Sequence, residues 1–143
     1  MTIAAILAGK GGEVVTASTG DTVTAAAARL AQRRIGAVPV LDADGRVAGV
    51  FSERDVIYCL DRDGPEALDR DVGSVMTAPA LTVSPADSVM SALALMTRRR
   101  VRHLPVLDGD RLVGIVSIGD LVKYRIDRIE ADAAAMRDYI RSA

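Results

Sequence analysis

Hydrophobic positions change their period several times along the chain, and each change marks an element. Val23, Ala26, Ala27 and Leu30 recur at helical spacing, and Val89, Leu93 and Met96 do so again further on. Ala37–Leu41 and Val47–Phe51 are short apolar runs around Asp42-Ala43-Asp44-Gly45, residue types that tolerate a tight turn, so they read as a hairpin. His103–Leu107 and Leu112–Val116 flank Asp108-Gly109-Asp110 in the same way. A β-prone run at Val14–Thr16 precedes the first helix, which Ser18-Thr19-Gly20-Asp21 starts and which the spacing carries to Arg34. Ser84-Pro85-Ala86-Asp87 predicts the start of the later helix, with a Ser cap, Pro at the first helical position and an acid at the third. Helices are also expected from Ser52 to about Leu60 and from Ser117, with a break, towards Ile140. The polar stretch Asp61–Asp71, which holds Gly64-Pro65, reads as a solvated linker, and Val72–Met76 as a helical turn.

The pattern occurs twice. Set over Leu81–Ile115, Val15–Val50 aligns Thr16 with Thr82, Ser18 with Ser84, Asp21 with Asp87 and Arg34 with Arg100. Pro39-Val40-Leu41-Asp42 meets Pro105-Val106-Leu107-Asp108. One residue is dropped in the second turn, after which Gly49 meets Gly114, Ser52 meets Ser117 and Asp55 meets Asp120. Neither copy can bury its strands alone, so the two are expected to pack as one α/β module. By sequence order the parts are residues 1–71, first motif with its N-terminal segment and linker; 72–123, second motif; and 124–143, a helical extension.

Bulk properties narrow the function. The chain has 143 residues, half of them apolar, with a formal net charge of −1. No global field draws it to nucleic acid or to an anionic membrane. The N-terminus lacks a basic region ahead of its short apolar run, and no segment is long and apolar enough to span a bilayer, so a cytoplasmic location is expected. The single cysteine, Cys59, excludes an internal disulfide and sits in an apolar stretch that predicts a buried thiol. One Cys and one His make a side-chain metal site a poor reading. Gly9-Lys10-Gly11-Gly12 lacks the spacing of a phosphate loop. Arg98-Arg99-Arg100 reads as a solvated helix end, where cations oppose the negative end of the dipole.

The repeated motifs resemble those of the CBS domain. They are Val75-Met76-Thr77, Thr82-Val83-Ser84-Pro85, His103-Leu104-Pro105-Val106 and Leu112–Ser117 running into Ser117-Ile118-Gly119-Asp120. Copy one carries Ile35–Val40 and Ser52-Glu53-Arg54-Asp55. The resemblance covers about Thr2 to Lys123 and is to small bacterial proteins made only of a CBS pair, the Bateman module. It implies tandem motifs about a pseudo-two-fold axis, a homodimer, an adenosyl ligand (AMP, ADP, ATP, NAD or S-adenosylmethionine) in the clefts between motifs, and a regulated protein partner.

It also implies a site, residue by residue. Asp55 and Asp120 are the implied ribose acceptors, with Ser52 and Ser117 beside them. Gly36-Ala37-Val38 and His103-Leu104 line adenine and phosphate, and Thr16 and Thr82 meet the base edge through their backbones. Arg102 and His103 are the implied phosphate contacts; Gly36-Ala37 stands in their place in the first motif, which makes the two clefts unequal. The chemistry agrees: a carboxylate accepts both ribose hydroxyls through strong charged hydrogen bonds, and a helix start favours phosphate. Ser-x-x-Asp at a helix start is equally a capping box, and the two roles can coexist. No nucleophile and base are readable, so a non-catalytic sensor is expected, with a ligand-free dimerisation scaffold as the alternative. The apolar stripes of Val23–Arg34 and Val89–Arg100 are the expected dimer faces.

Overall fold

Two β-hairpins carry the architecture of the computed structural model, which describes residues 1–143. β2 (Ala37–Leu41) pairs antiparallel with β3 (Val47–Ser52), and β1 (Ala17–Ser18) adds in parallel to β2. β4 (His103–Asp108) pairs antiparallel with β5 (Arg111–Ser117), while Val83 makes a single parallel bridge to Val106. Gly45 and Gly109 take the positive φ that each turn needs. The expected strand at Val14–Thr16 forms only from Ala17, and its counterpart in the second copy shrinks to one bridge.

The first helices of the two motifs, α2 (Val23–Arg33) and α5 (Val89–Arg99), start later than the turn residues suggest. Ser84-Pro85-Ala86-Asp87 is a closed turn rather than a cap: the Ser84 amide donates to Asp87 Oδ2 at 2.8 Å. The cap is Ser88, whose Oγ accepts from Ser91 N at 3.0 Å. In copy one the Ser18 amide closes on Asp21 at 2.9 Å, and Thr22 caps by accepting from Ala25 N. Both helices end on an arginine in the left-handed region, Arg34 (φ 52°) and Arg100 (φ 55°), in place of the usual glycine.

Each hairpin has its own core. Val23, Ala26 and Leu30 of α2 pack with Val38, Val40, Phe51 and Cys59; Val89, Ala92 and Met96 of α5 pack with Leu104, Val106, Val116 and Leu121. The apolar stripes expected to face a dimer partner are therefore used inside the monomer. Cys59 is buried, as its sequence context implies.

Two segments differ from the sequence expectation. The stretch read as a solvated linker is packed: α3 (Glu53–Asp63) is followed by a 3₁₀ turn, Pro65–Asp69, whose Ala67 is fully buried in the first core. Asp63 ties the turn to α3 by accepting from Arg70 at 2.8 Å. The N-terminal residues, grouped with the first motif by sequence order, form α1 (Ile3–Lys10) and bury Ile3 and Ile6 in the second core. α1 and α4 (Val72–Val75) are pseudo-symmetric partners. Val72 N donates to Asp21 O, as Ile3 N does to Asp87 O. A Cβ on Gly49 would lie 2.6 Å from the Thr77 carbonyl behind α4, and one on Gly114 would lie 2.5 Å from Leu7 of α1. The repeated glycine thus records a repeated crossing. α6 (Ile118–Ser142) runs 25 residues without the expected break. No helix is long and apolar enough to cross a membrane.

Candidate functional site

The start of α3, the end of α5 and the crossing segment Thr77–Leu81 enclose a cleft of about 480 Å³, within the usual range of small-molecule sites. Asp55 lies at its foot and is 8 % exposed. One carboxylate oxygen accepts from the Ser52 amide at 2.9 Å and the Ser52 hydroxyl at 3.2 Å; the other accepts from Thr77 Oγ1 at 3.0 Å. Capping is therefore real at this position, and the charge is nonetheless aimed at the cleft rather than at solvent. Ala78, Pro79, Leu81 and Val101 give it an apolar wall.

Four arginines surround this cleft: Arg54, Arg99, Arg100 and Arg102. The ion pairs of the chain use other residues, so none of the four is neutralised within the molecule. Arg99 and Arg100 were expected at a solvated helix end; the left-handed turn at Arg100 brings that end over the cleft. The amides at the helix start, expected to be free for phosphate, are partly engaged. Glu53 N donates to Gly36 O at 3.1 Å and Ser52 N to Asp55. Any anion here is met mainly by guanidinium groups, which suit phosphate geometrically.

His103 lines the same cleft, and its ring packs on Gly36. A Cβ at Gly36 would come within 3.1 Å of both Cε1 and Nε2. Gly36 is therefore more than a missing basic counterpart: it makes room for the imidazole. Burial lowers the His103 pKa below the ordinary imidazole value, with Glu53 and Asp120 opposing and Lys10 and Arg102 assisting.

The other motif is arranged differently. Ser117 and Asp120 form a reciprocal box, Ser117 N to Asp120 Oδ2 at 2.8 Å and Asp120 N to Ser117 Oγ at 3.1 Å. Where Thr77 meets Asp55, Lys10 meets Asp120: α1 is longer than α4, and its last residue places Nζ 2.7 Å from Asp120 Oδ2 and 2.8 Å from the Ile115 carbonyl. Burial alone would raise the Asp120 pKa, but the Lys10 ammonium and the Ser117 amide outweigh it and hold the carboxyl below its usual value.

Of the residues named from sequence, the cleft brings together Gly36, Ser52, Asp55, Arg102 and His103. Ala37, Val38 and Leu104 are instead core side chains of their strands, 4 %, 0 % and 0 % exposed, so they cannot present side chains to a ligand. Thr16 and Thr82 are not among the lining residues, although Leu81 is; the Thr16 carbonyl accepts from Arg29 at 2.8 Å. Ser117 and Asp120 belong to the Lys10 side. Tyr58, Thr77, Arg54, Arg99 and Arg100 were missed. Thr77 lies in the quoted Val-Met-Thr motif and Arg54 inside Ser-x-x-Asp, so neighbouring motif positions carried the signal.

Two repeated β-hairpin motifs, each with its own core and with a shared cleft between them, define a paired α/β module. The chain belongs to the CBS-domain family: the family model described as "CBS domain" matches residues 12–62 and again 72–127. It is 31 % identical over 98 % of its length to the CBS domain-containing protein CBSX3, mitochondrial, of Arabidopsis thaliana, covering 72 % of that protein. The solved CBS-domain containing protein ATU1752 from Agrobacterium tumefaciens superposes with a TM-score of 0.83 and 38 % identity, over 87 % of this chain and 92 % of that one. At 22 % identity and a TM-score of 0.79, over 90 % of this chain and 98 % of that one, the CBS domain pair of protein MJ0100 shares the fold; it was solved in complex with 5-methylthioadenosine and S-adenosyl-L-methionine.

Proposed function

We propose that this module is a non-catalytic sensor that binds one adenine nucleotide in the Asp55 cleft. The observation that carries this reading is a buried carboxylate at the foot of a 480 Å³ cleft ringed by four unpaired arginines. Ribose hydroxyls sit on Asp55, the phosphate on the arginines with His103, and the base against the wall of Pro79, Leu81 and Val101. The adenosyl ligands of MJ0100 support the ligand class. Arginines require an anion, which favours AMP, ADP, ATP or NAD over S-adenosylmethionine. Asp120 is held by Lys10, so one strong site per chain is expected. A regulated protein partner belongs to the same reading, whereas a two-fold homodimer fits the sensor and the scaffold alike.

A thermal-shift panel of AMP, ADP, ATP, NAD, S-adenosylmethionine and adenosine tests it, followed by calorimetric titration for stoichiometry. A ligand at 100 times its Kd adds about 2.7 kcal/mol, a rise of roughly 5–10 °C for a chain of this size. If no adenine compound moves the melt at millimolar concentration, the ligand-free scaffold replaces the sensor.

A further inference from the structure

α6 leaves the module after burying Leu121, and beyond Arg125 only Ala134 among its residues is even half-buried. Most of a helix's stability in a protein comes from packing an amphipathic face rather than from propensity, so this unpacked stretch asks for a partner. Its apolar residues are not scattered. Val122, Ile129 and Met136 fall seven apart, and so do Ile126, Ala133 and Ile140, four residues after each. This is the d and a pattern of a two-stranded coiled coil. Five of the six are large and exposed, from 43 % at Val122 to 65 % at Ile140.

The flanking charges choose the occupant and its direction. The g positions are Arg125, Asp132 and the uncharged Tyr139, and the e positions Lys123, Glu130 and Arg137. In a parallel pair of identical helices, g faces the e position of the next heptad across the seam. Arg125 then meets the second copy's Glu130, and Asp132 meets the second copy's Arg137; two-fold symmetry makes each pair twice. An antiparallel pair with full overlap sets Glu130 on Glu130, Asp132 on Asp132 and Lys123 on Arg137, all like charges. The structure assigns α6 as the dimerisation element: two copies of this chain join through a parallel coiled coil over residues 122–140. The assignment is independent of what the cleft binds.

Sedimentation or light scattering of the full chain from low to several hundred micromolar tests it. The parent chain is expected to shift from monomer to dimer. Ile126→Glu combined with Ile129→Glu, at exposed positions, is expected to stay monomeric and to melt like the parent at the low concentrations where the parent is itself a monomer. Glu130→Arg turns two attractions into repulsions and weakens the dimer roughly 4- to 30-fold, and adding Arg125→Glu restores it. A monomeric parent, a dimer that survives the double isoleucine change, a higher oligomer, or no rescue by Arg125→Glu would each overturn the assignment.

Discussion

Asp55→Asn tests the central element of the site with the least disturbance of the fold. Three of the roughly four lone-pair sites of the Asp55 carboxylate are occupied, by the Ser52 amide, the Ser52 hydroxyl and Thr77 Oγ1. An asparagine keeps its oxygen on Ser52 and turns its amide nitrogen towards Thr77, whose hydroxyl can accept instead of donate. The cost to stability is then that of exchanging a charged for a neutral hydrogen bond, about 0.5–1.5 kcal/mol. Binding suffers more, because the ribose loses its charged acceptor, an effect of about 1.5–3 kcal/mol or roughly 10- to 150-fold. Only one lone pair is free before Thr77 moves, so the lower end is expected. Titration calorimetry with AMP and with adenosine, beside a thermal melt, reads both quantities. AMP and adenosine should weaken by the same factor. If the folded variant binds AMP as tightly as the parent, Asp55 is a helix cap only and the ribose assignment fails.

Three further outcomes follow from the geometry. Thr77→Val frees one oxygen of Asp55, so AMP affinity should hold or rise while the melt falls; a loss of affinity by calorimetry would place Thr77 itself on the ligand. Lys10→Met releases Asp120, and the titrated stoichiometry should rise from about one towards two per chain; an unchanged stoichiometry would show that Lys10 is not what keeps that side empty. His103 has its folded pKa lowered below the usual 6.5, so folding favours the neutral ring. Stability should be level above about pH 6.5 and fall as pH drops below it, and His103→Gln should flatten that slope in denaturant titrations at pH 7.5 and 5.5.

The hairpins were legible because two apolar runs around an Asp-Gly turn admit little else, and the repeat fixed their pairing. Boundaries were less so. Ser84-Pro85-Ala86-Asp87 carries every mark of a helix start, yet the Asp87 carboxylate closes back on the Ser84 amide and leaves capping to Ser88. Polar composition hid Ala67, a small residue that the 3₁₀ turn drives into the core. The site was half legible. Asp55 and Arg102 follow from motif positions, but Gly36 takes its meaning from a histidine one repeat later in the chain. Lys10 was invisible because its partner lies 110 residues away, and no periodicity reports such a pairing.

That α1 completes the second motif has a kinetic consequence. The first motif finds α4 a few residues downstream, so its closure involves short loops. The second motif must wait for a segment from the far end of the chain, and closing so long a loop slows folding. During synthesis α1 is among the first segments made, yet its docking partner, β5, is among the last. Until then Ile3, Ile6 and Leu7 have no core to enter. The two halves, alike in sequence and final shape, are expected to fold in order, the first motif ahead of the second.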